Sequence, residues 1–140
     1  MSGANFFSDQ QAINAYMNKK VRIDITRAIA EHTAIREALE SVGIKVIKVD
    51  PPPNCQDGVY TANWALIRGT KAVLSTLPNA RQDEEAYAEK VLRNLGKTVV
   101  HVPDDVHFSG QGDALPCGNY LFAGSGYRTE LPAHQFIAEQ

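Results

Sequence analysis

The sequence predicts an α/β chain that uses a helix, a short strand and a β-hairpin twice. Three observations carry this prediction. Two stretches, 24–42 and 82–95, repeat apolar residues at helical spacing, and Gly43 and Gly96 stop them. Each is followed by a short apolar run and then proline: Ile44–Val49 before Pro51-Pro52-Pro53, and Thr98–Val102 before Pro103. Two hairpins then turn at Gly69 and Gly118, 49 positions apart.

The elements follow in order. Residues 1–20 have weak periodicity; the anchors Phe6-Phe7 and Tyr16-Met17 fit an ordered loop laid across a body and equally a partly frayed terminus. From Asp24 to Val42, the residues Ile25, Ala28, Ile29, His32, Ile35, Leu39 and Val42 recur every three or four positions, with Asp24 placed to cap the first amides. Ile44–Val49 reads as a strand. Val59–Ile67, rich in β-branched and aromatic residues, pairs with Lys71–Thr76 across Arg68-Gly69-Thr70. Pro78-Asn79 breaks the chain before a helix from Gln82 to Leu95, whose Tyr87, Val91, Leu95 and Ala88, Leu92 share a face. A third helix starts near Glu130, with Thr129 as its cap, and runs to Gln140.

At 140 residues this is one domain by size, and 44% hydrophobic residues are enough for a core. A formal charge of −2 gives no basic field, so nucleic acid is not an expected partner; Lys19-Lys20 reads as a solvated loop. No run of 18 apolar residues predicts a membrane span, and no apolar signal core opens the chain, so the expected location is cytoplasmic. Cys55 and Cys117 fall in predicted loops without a CxxC partner, and His32, His101, His107 and His134 are widely separated. Neither metal nor other cofactor is expected. A disulfide would be unusual in a reducing cell. His32 shares the stripe of Ile25, Ile29, Ile35 and Leu39, which fits a half-buried, hydrogen-bonded ring.

The stretch Val106–Arg128 organises the rest. Five glycines surround Asp113, and a hairpin turns at Gly118-Asn119 between Asp113-Ala114-Leu115 and Tyr120-Leu121-Phe122-Ala123. Glycine at this density implies close backbone approach or positive φ around one aspartate. The pattern fits a ligand-holding corner and equally a corner whose aspartate ties only its own loop.

FxGxGDAL followed by LFAGxGxRT, from Phe108 to Thr129, resembles the second-module signature of the amidinotransferase, arginine deiminase and dimethylarginine hydrolase superfamily, the guanidine-modifying or pentein group. Cys55-Gln56-Asp57-Gly58-Val59-Tyr60-Thr61-Ala62-Asn63 is similar to that family's PDxVFTAN segment, and Phe6–Met17 to its substrate loop. The resemblance covers nearly all of the chain but only the first half of a typical member. It implies an incomplete pentein-type α/β-propeller of repeated ββαβ modules, with residues 1–140 forming about two modules and the start of a third. The modules bring equivalent ends to a common axis, with Asp57 and Asp113 expected at similar places before a hairpin arm.

The chemistry of the family is attack of a cysteine on a guanidinium carbon, with a histidine acid/base and carboxylates that hold the cation. The resemblance places that histidine and cysteine in later modules, so no catalytic residue is assigned here, and neither Cys55 nor Cys117 matches the nucleophile. It assigns Phe7, Asp57, Asn63, Ser109, Asp113 and Arg128 to substrate binding. Two of these depart from the pattern. Ser109 stands where relatives carry a glutamate, and Asn63 where deiminases and dimethylarginine hydrolases carry a carboxylate. Asparagine is what the TAN-type branch of the family carries there, so Asn63 alone does not imply inactivity, but with Ser109 the site for a cation is weaker. Arg128 is expected to pair with a carboxylate, either from a substrate or from within the loop. The expected function is the N-terminal half of a guanidino-hydrolase or amidinotransferase acting on arginine-type substrates and inactive alone. The expected partner is a C-terminal half or a second copy, as a homo-oligomer; the alternative is a catalytically dead binding or assembly module.

Overall fold

The computed structural model describes residues 1–8, 11, 18, 20–78 and 81–140; Tyr16, Met17, Lys19 and Asn79 of the expectations above lie outside the described residues. The chain forms two compact units, Met1–Thr61 and Ala62–Gln140.

The first unit is built around α1 (Ile25–Ser41). Asp24 caps it, accepting from Arg27 N at 3.0 Å. Gly43, at φ +81°, ends it: Gly43 N donates to Glu40 O and Ile44 N to Leu39 O, the paired bonds of a Schellman stop. The apolar stripe is less enclosed than expected. No α1 residue is buried, His32 is half-buried, and Ile29 and Ile35 are exposed.

Two strand expectations are corrected here. Among the described residues Ile44–Val49 contributes a single parallel bridge, Val49 with Ser2, because a ladder needs a paired neighbour along its length and Ser2 supplies one only at Val49. Val49 N donates to Met1 O, and the Met1 amino group donates to Ile47 O at 2.6 Å. Val59–Ile67 is a strand only from residue 65 onward. Tyr60 N donates to Asp57 O and Thr61 N to Val59 O, and Thr61–Asn63 is a 3-10 turn. Local turn bonds outcompete the β-propensity of these residues.

The second unit holds the core. β1 (Ala65–Arg68) and β2 (Lys71–Leu74) form the first hairpin, α2 (Asp83–Asn94) crosses over, and β3 (Thr98–His101) lies parallel to β2. The sheet order β1-β2-β3 makes this one ββαβ unit. After a 3-10 turn at Gly110–Gly112 come β4 (Ala114–Cys117) and β5 (Tyr120–Ala123), paired antiparallel, and then α3 (Leu131–Ala138). α2 stops as α1 does, with Gly96 N on Arg93 O and Lys97 N on Leu92 O. The third helix ends before Gln140, and Glu130 rather than Thr129 stands at its N-cap.

Alternation sorts the sheet into two faces. Leu66 and Val73, directly opposite in the ladder, join Val102, Val106, Phe108, Ala133 and Ile137 in the core. Ala72 and Val99, paired on the other face, are buried, as are Ala88 and Leu92 of α2, which packs on β2 and β3. Burying a side chain such as Phe108 fully is worth about 1.5–3 kcal/mol.

The repeat is a matter of register as well as order. The 3-10 turn, the first hairpin strand and the second recur at 61–63 and 110–112, 65–68 and 114–117, 71–74 and 120–123, each displaced by 49. This register corrects one expectation: Trp64, not Asp57, occupies the position equivalent to Asp113.

Candidate functional site

The glycine corner brings four of the expected residues together in the second unit. Gly110 has φ +57°, and a Cβ there would lie 2.6 Å from Ser75 Oγ. At Gly112 a Cβ would lie 2.0 Å from Asn63 Nδ2. Two glycines therefore let the 3-10 turn close onto the end of the other 3-10 turn, where Asn63 sits. Asn63 Nδ2 donates to Ser109 Oγ at 3.1 Å, with Asn63 and Ser109 both buried. Arg128 Nη2 donates to Asp113 Oδ1 and, at 3.3 Å, to Gly112 O. Asp113 thus finds its ion-pair partner on the far side of the second hairpin, within the same unit.

Thr129 links the two pairs. Its hydroxyl accepts from Ser109 N at 3.1 Å and donates to Asp113 Oδ2 at 2.8 Å. A residue expected to cap a helix instead ties the aspartate to the serine. Both Asp113 oxygens are engaged by neighbours, while Arg128 also lines an open cleft of about 710 Å³ with Thr76, Glu85, Glu89 and His101.

Behind Asn63 lies a cluster that the sequence reading missed. Arg81 binds Glu84 bidentately, Nε to Oε1 at 2.8 Å and Nη2 to Oε2 at 2.7 Å, and its Nη1 donates to Asn63 Oδ1 at 3.0 Å. Trp64 Nε1 donates to Glu84 Oε2 at 3.0 Å, and the Trp64 ring meets Tyr87 edge-on. The result is a continuous polar chain from Trp64 through Glu84, Arg81, Asn63, Ser109, Thr129 and Asp113 to Arg128. Its one sequence signal was the Arg81–Glu84 spacing of three at a helix start, where both side chains share a face.

Phe7 and Asp57 lie in the first unit. Phe7 is half-buried, its ring edge-on to Tyr60 at 5.7 Å. Asp57 is buried and accepts from Gln56 Nε2 at 3.1 Å; Gln56 also exchanges two bonds with the Gln11 backbone. The loop is tight, since a Cβ on Gly58 would lie 2.4 Å from Pro52 Cγ. Cys55 is buried, its Sγ 3.5 Å from Pro53 O, and Cys117 is exposed.

Near the cleft, burial pushes the Glu85 carboxyl above its ordinary value, partly offset by the bond it accepts from Leu77 N at 2.5 Å. Glu89 moves the other way, held below its ordinary value by Arg93 and then His101. Among the described residues no three His, Cys, Asp or Glu side chains gather in a metal-like group, and no helix is long and apolar enough to cross a membrane.

Comparison with known proteins gives this geometry a context. The bifunctional arginine dihydrolase/ornithine cyclodeaminase AgrE of Nostoc sp. is 36% identical over 131 residues, which are 91% of this chain and 18% of that protein. An N(G),N(G)-dimethylarginine dimethylaminohydrolase of Mycobacterium tuberculosis is 32% identical over 143 residues, 99% of this chain and 45% of that one. The N-terminal domain of ArgZ bound to product, a cyanobacterial arginine dihydrolase, superposes with a TM-score of 0.91 at 33% identity, over 99% of this chain and 52% of that one. The chain therefore spans about half the length of the dimethylaminohydrolase it matches and about a fifth of AgrE. Residues 3–123, which include the Asn63 turn, the Arg81–Glu84 pair and the glycine corner, match the family described as N,N dimethylarginine dimethylhydrolase, eukaryotic, and it is to this family that the chain belongs.

Proposed function

We propose that the chain is the N-terminal, substrate-holding half of a guanidino-hydrolase or amidinotransferase acting on arginine-type substrates. The observation that carries this reading is the polar chain that runs from the buried Asn63 and Ser109 to the half-buried Asp113 and Arg128 around the glycine corner. Its resemblance to proteins named for arginine and dimethylarginine chemistry supplies the substrate class. Phe7 and Asp57 are assigned to substrate binding by the resemblance. The chain would be one partial pentein domain over residues 1–140, part of an α/β-propeller that a C-terminal half or a second copy completes.

In this reading the chain binds without turnover. The resemblance places the attacking cysteine and the acid/base histidine in other modules, and Ser109 cannot supply the carboxylate that relatives carry there. Asn63 and Arg128 orient substrate groups, Asp113 holds Arg128, and Thr129 keeps that pair in register with Ser109. The alternative, a binding or assembly module without catalysis, is favoured by one observation: both Asp113 oxygens are engaged by Arg128 and Thr129 of the same chain.

Calorimetric titration with L-arginine, beside an assay for released ornithine and citrulline, tests the reading. Binding is expected, weakened by Asn63→Ala and Arg128→Ala, with no product. Product proportional to purified chain, and lost on Cys55→Ala or Cys117→Ala, would refute the absence of turnover. No binding at all would favour the alternative module.

A further inference from the structure

Asn63 has a side chain whose two ends carry opposite hydrogen-bonding chemistry, and oxygen and nitrogen of an amide are told apart only by their partners. Arg81 settles the orientation. A guanidinium carries donors and no acceptor, so its Nη1, 3.0 Å from Asn63, requires the amide oxygen on that side. Nδ2 is thereby turned to Ser109 Oγ and to Gly112, whose missing Cβ leaves the space it fills. Arg81 is itself restrained, because Nε and Nη2 grip both oxygens of Glu84 while Trp64 Nε1 fixes Oε2.

We propose that Arg81 is a positioning residue: through its bond to Oδ1 it commits Asn63 to presenting Nδ2, a donor, at the glycine corner. The consequence is selective. Nδ2 donates to Ser109 twice, to Oγ at 3.1 Å and to O at 3.4 Å, so a group with an acceptor oxygen competes with Ser109 for a donor already turned its way. A donor-only group such as a guanidinium meets a partner at that edge only after the amide turns over, which requires Arg81 to release Oδ1. The consequence for a ligand rests on the reading of Asn63 as ligand-facing; the orientation itself does not.

The test is nuclear magnetic resonance of the labelled chain, with the Asn63 side-chain amide identified by its loss in Asn63→Asp. The wild-type amide protons are expected to show a stronger cross-relaxation contact to Gly112 Hα than to the Arg81 side chain; the reverse pattern overturns the proposal. Arg81→Lys keeps a donor and is expected to retain the Gly112 contact, whereas Arg81→Met is expected to lose it with the backbone spectrum preserved. Persistence of the contact in a folded Arg81→Met chain refutes positioning. Should that variant not fold, Glu84→Gln, which loosens Arg81, is expected to broaden the Asn63 pair, and an unchanged pair refutes it equally. Adding L-arginine to the wild-type sample separates the two claims. An Asn63 pair that never shifts would sink the substrate reading and leave the orientation standing.

Discussion

Arg81 and Glu84 meet in a two-bond ion pair in the interior of the second unit, with side chains only 6% and 1% exposed. Neither charge is stranded, because Trp64 adds a donor to Glu84 and Asn63 an acceptor to Arg81. A pair so satisfied contributes little net stability, since desolvation offsets most of the attraction, but breaking it from one side is costly. Glu84→Ala is therefore expected to destabilise the chain by about 3–5 kcal/mol, because it leaves the guanidinium buried without its carboxylate. Urea denaturation of Glu84→Ala, Arg81→Ala and the double variant checks this. The double variant should cost clearly less than the two single losses together, and simple additivity would show that the pair does not act as a unit.

Gly112 and Gly124 bracket the same hairpin but should respond differently to a methyl group. At Gly112 the new carbon would sit 2.0 Å from Asn63 Nδ2, so Asn63 must leave its place. At Gly124 the nearest atom outside its chain neighbours is Asp113 O at 3.9 Å, an ordinary contact. Gly112→Ala is expected to cost about 1–3 kcal/mol through overpacking. Gly124→Ala should stay within about 0.5 kcal/mol of wild type. Equal melting temperatures for the two variants would mean that the corner closes more loosely than its contacts imply.

Periodicity and punctuation made the second unit's architecture legible. The glycine stops, the proline breaks and the 49-residue spacing of Gly69 and Gly118 are local signals, and α2, β3 and both hairpins follow them. The corner at Asp113 was legible for the same reason, since glycine density reports backbone proximity. Arg81, Glu84 and Trp64 were not, because their meeting depends on how α2 docks on the sheet, and no single window of sequence contains all the partners. Ile44–Val49 shows the converse. Its apolar pattern was right for a strand, but a strand needs a neighbour, and the one it finds is the Met1–Ser2 segment.

Glu85 carries a pH dependence whose sign is fixed by burial. Its folded-state pKa lies above the ordinary value of 4.5, so between 4.5 and that raised value the folded chain binds more protons than the unfolded one. This carboxyl therefore supports the fold at low pH and loses that support as pH rises through the window. Glu85→Gln keeps an acceptor for Leu77 N and removes the desolvated charge. Its melting temperature at neutral pH should equal or exceed wild type, with a smaller fall from pH 4.5 upward. Glu89, held low by Arg93 and His101, contributes in the opposite sense, losing its support as pH falls below 4.5. A Glu85→Gln chain that melts well below wild type at pH 7 would show that the charge itself matters to Leu77.

The outer face of the second hairpin gives the last prediction. Leu115 lies opposite Phe122, and Cys117 opposite Tyr120, on one side of β4 and β5; Leu115, Tyr120 and Phe122 are 57%, 73% and 66% exposed. In the 49-residue register Leu115 matches Leu66 and Phe122 matches Val73. Both of those are buried in the core, clustered with Val102, Val106 and Phe108 from the segment that follows β3. The same positions are thus enclosed in one repeat and open in the next, and open apolar faces of a sheet favour association. We expect this face to be covered by a second copy of the chain, so that mass and melting temperature both rise with concentration. Leu115→Ser with Phe122→Ser changes exposed side chains only and should abolish that rise while leaving the fold intact. Sedimentation over a wide dilution series decides it: a species of 15.3 kDa at every concentration, with a constant melting temperature, would show that the hairpin face stays bare without driving self-association.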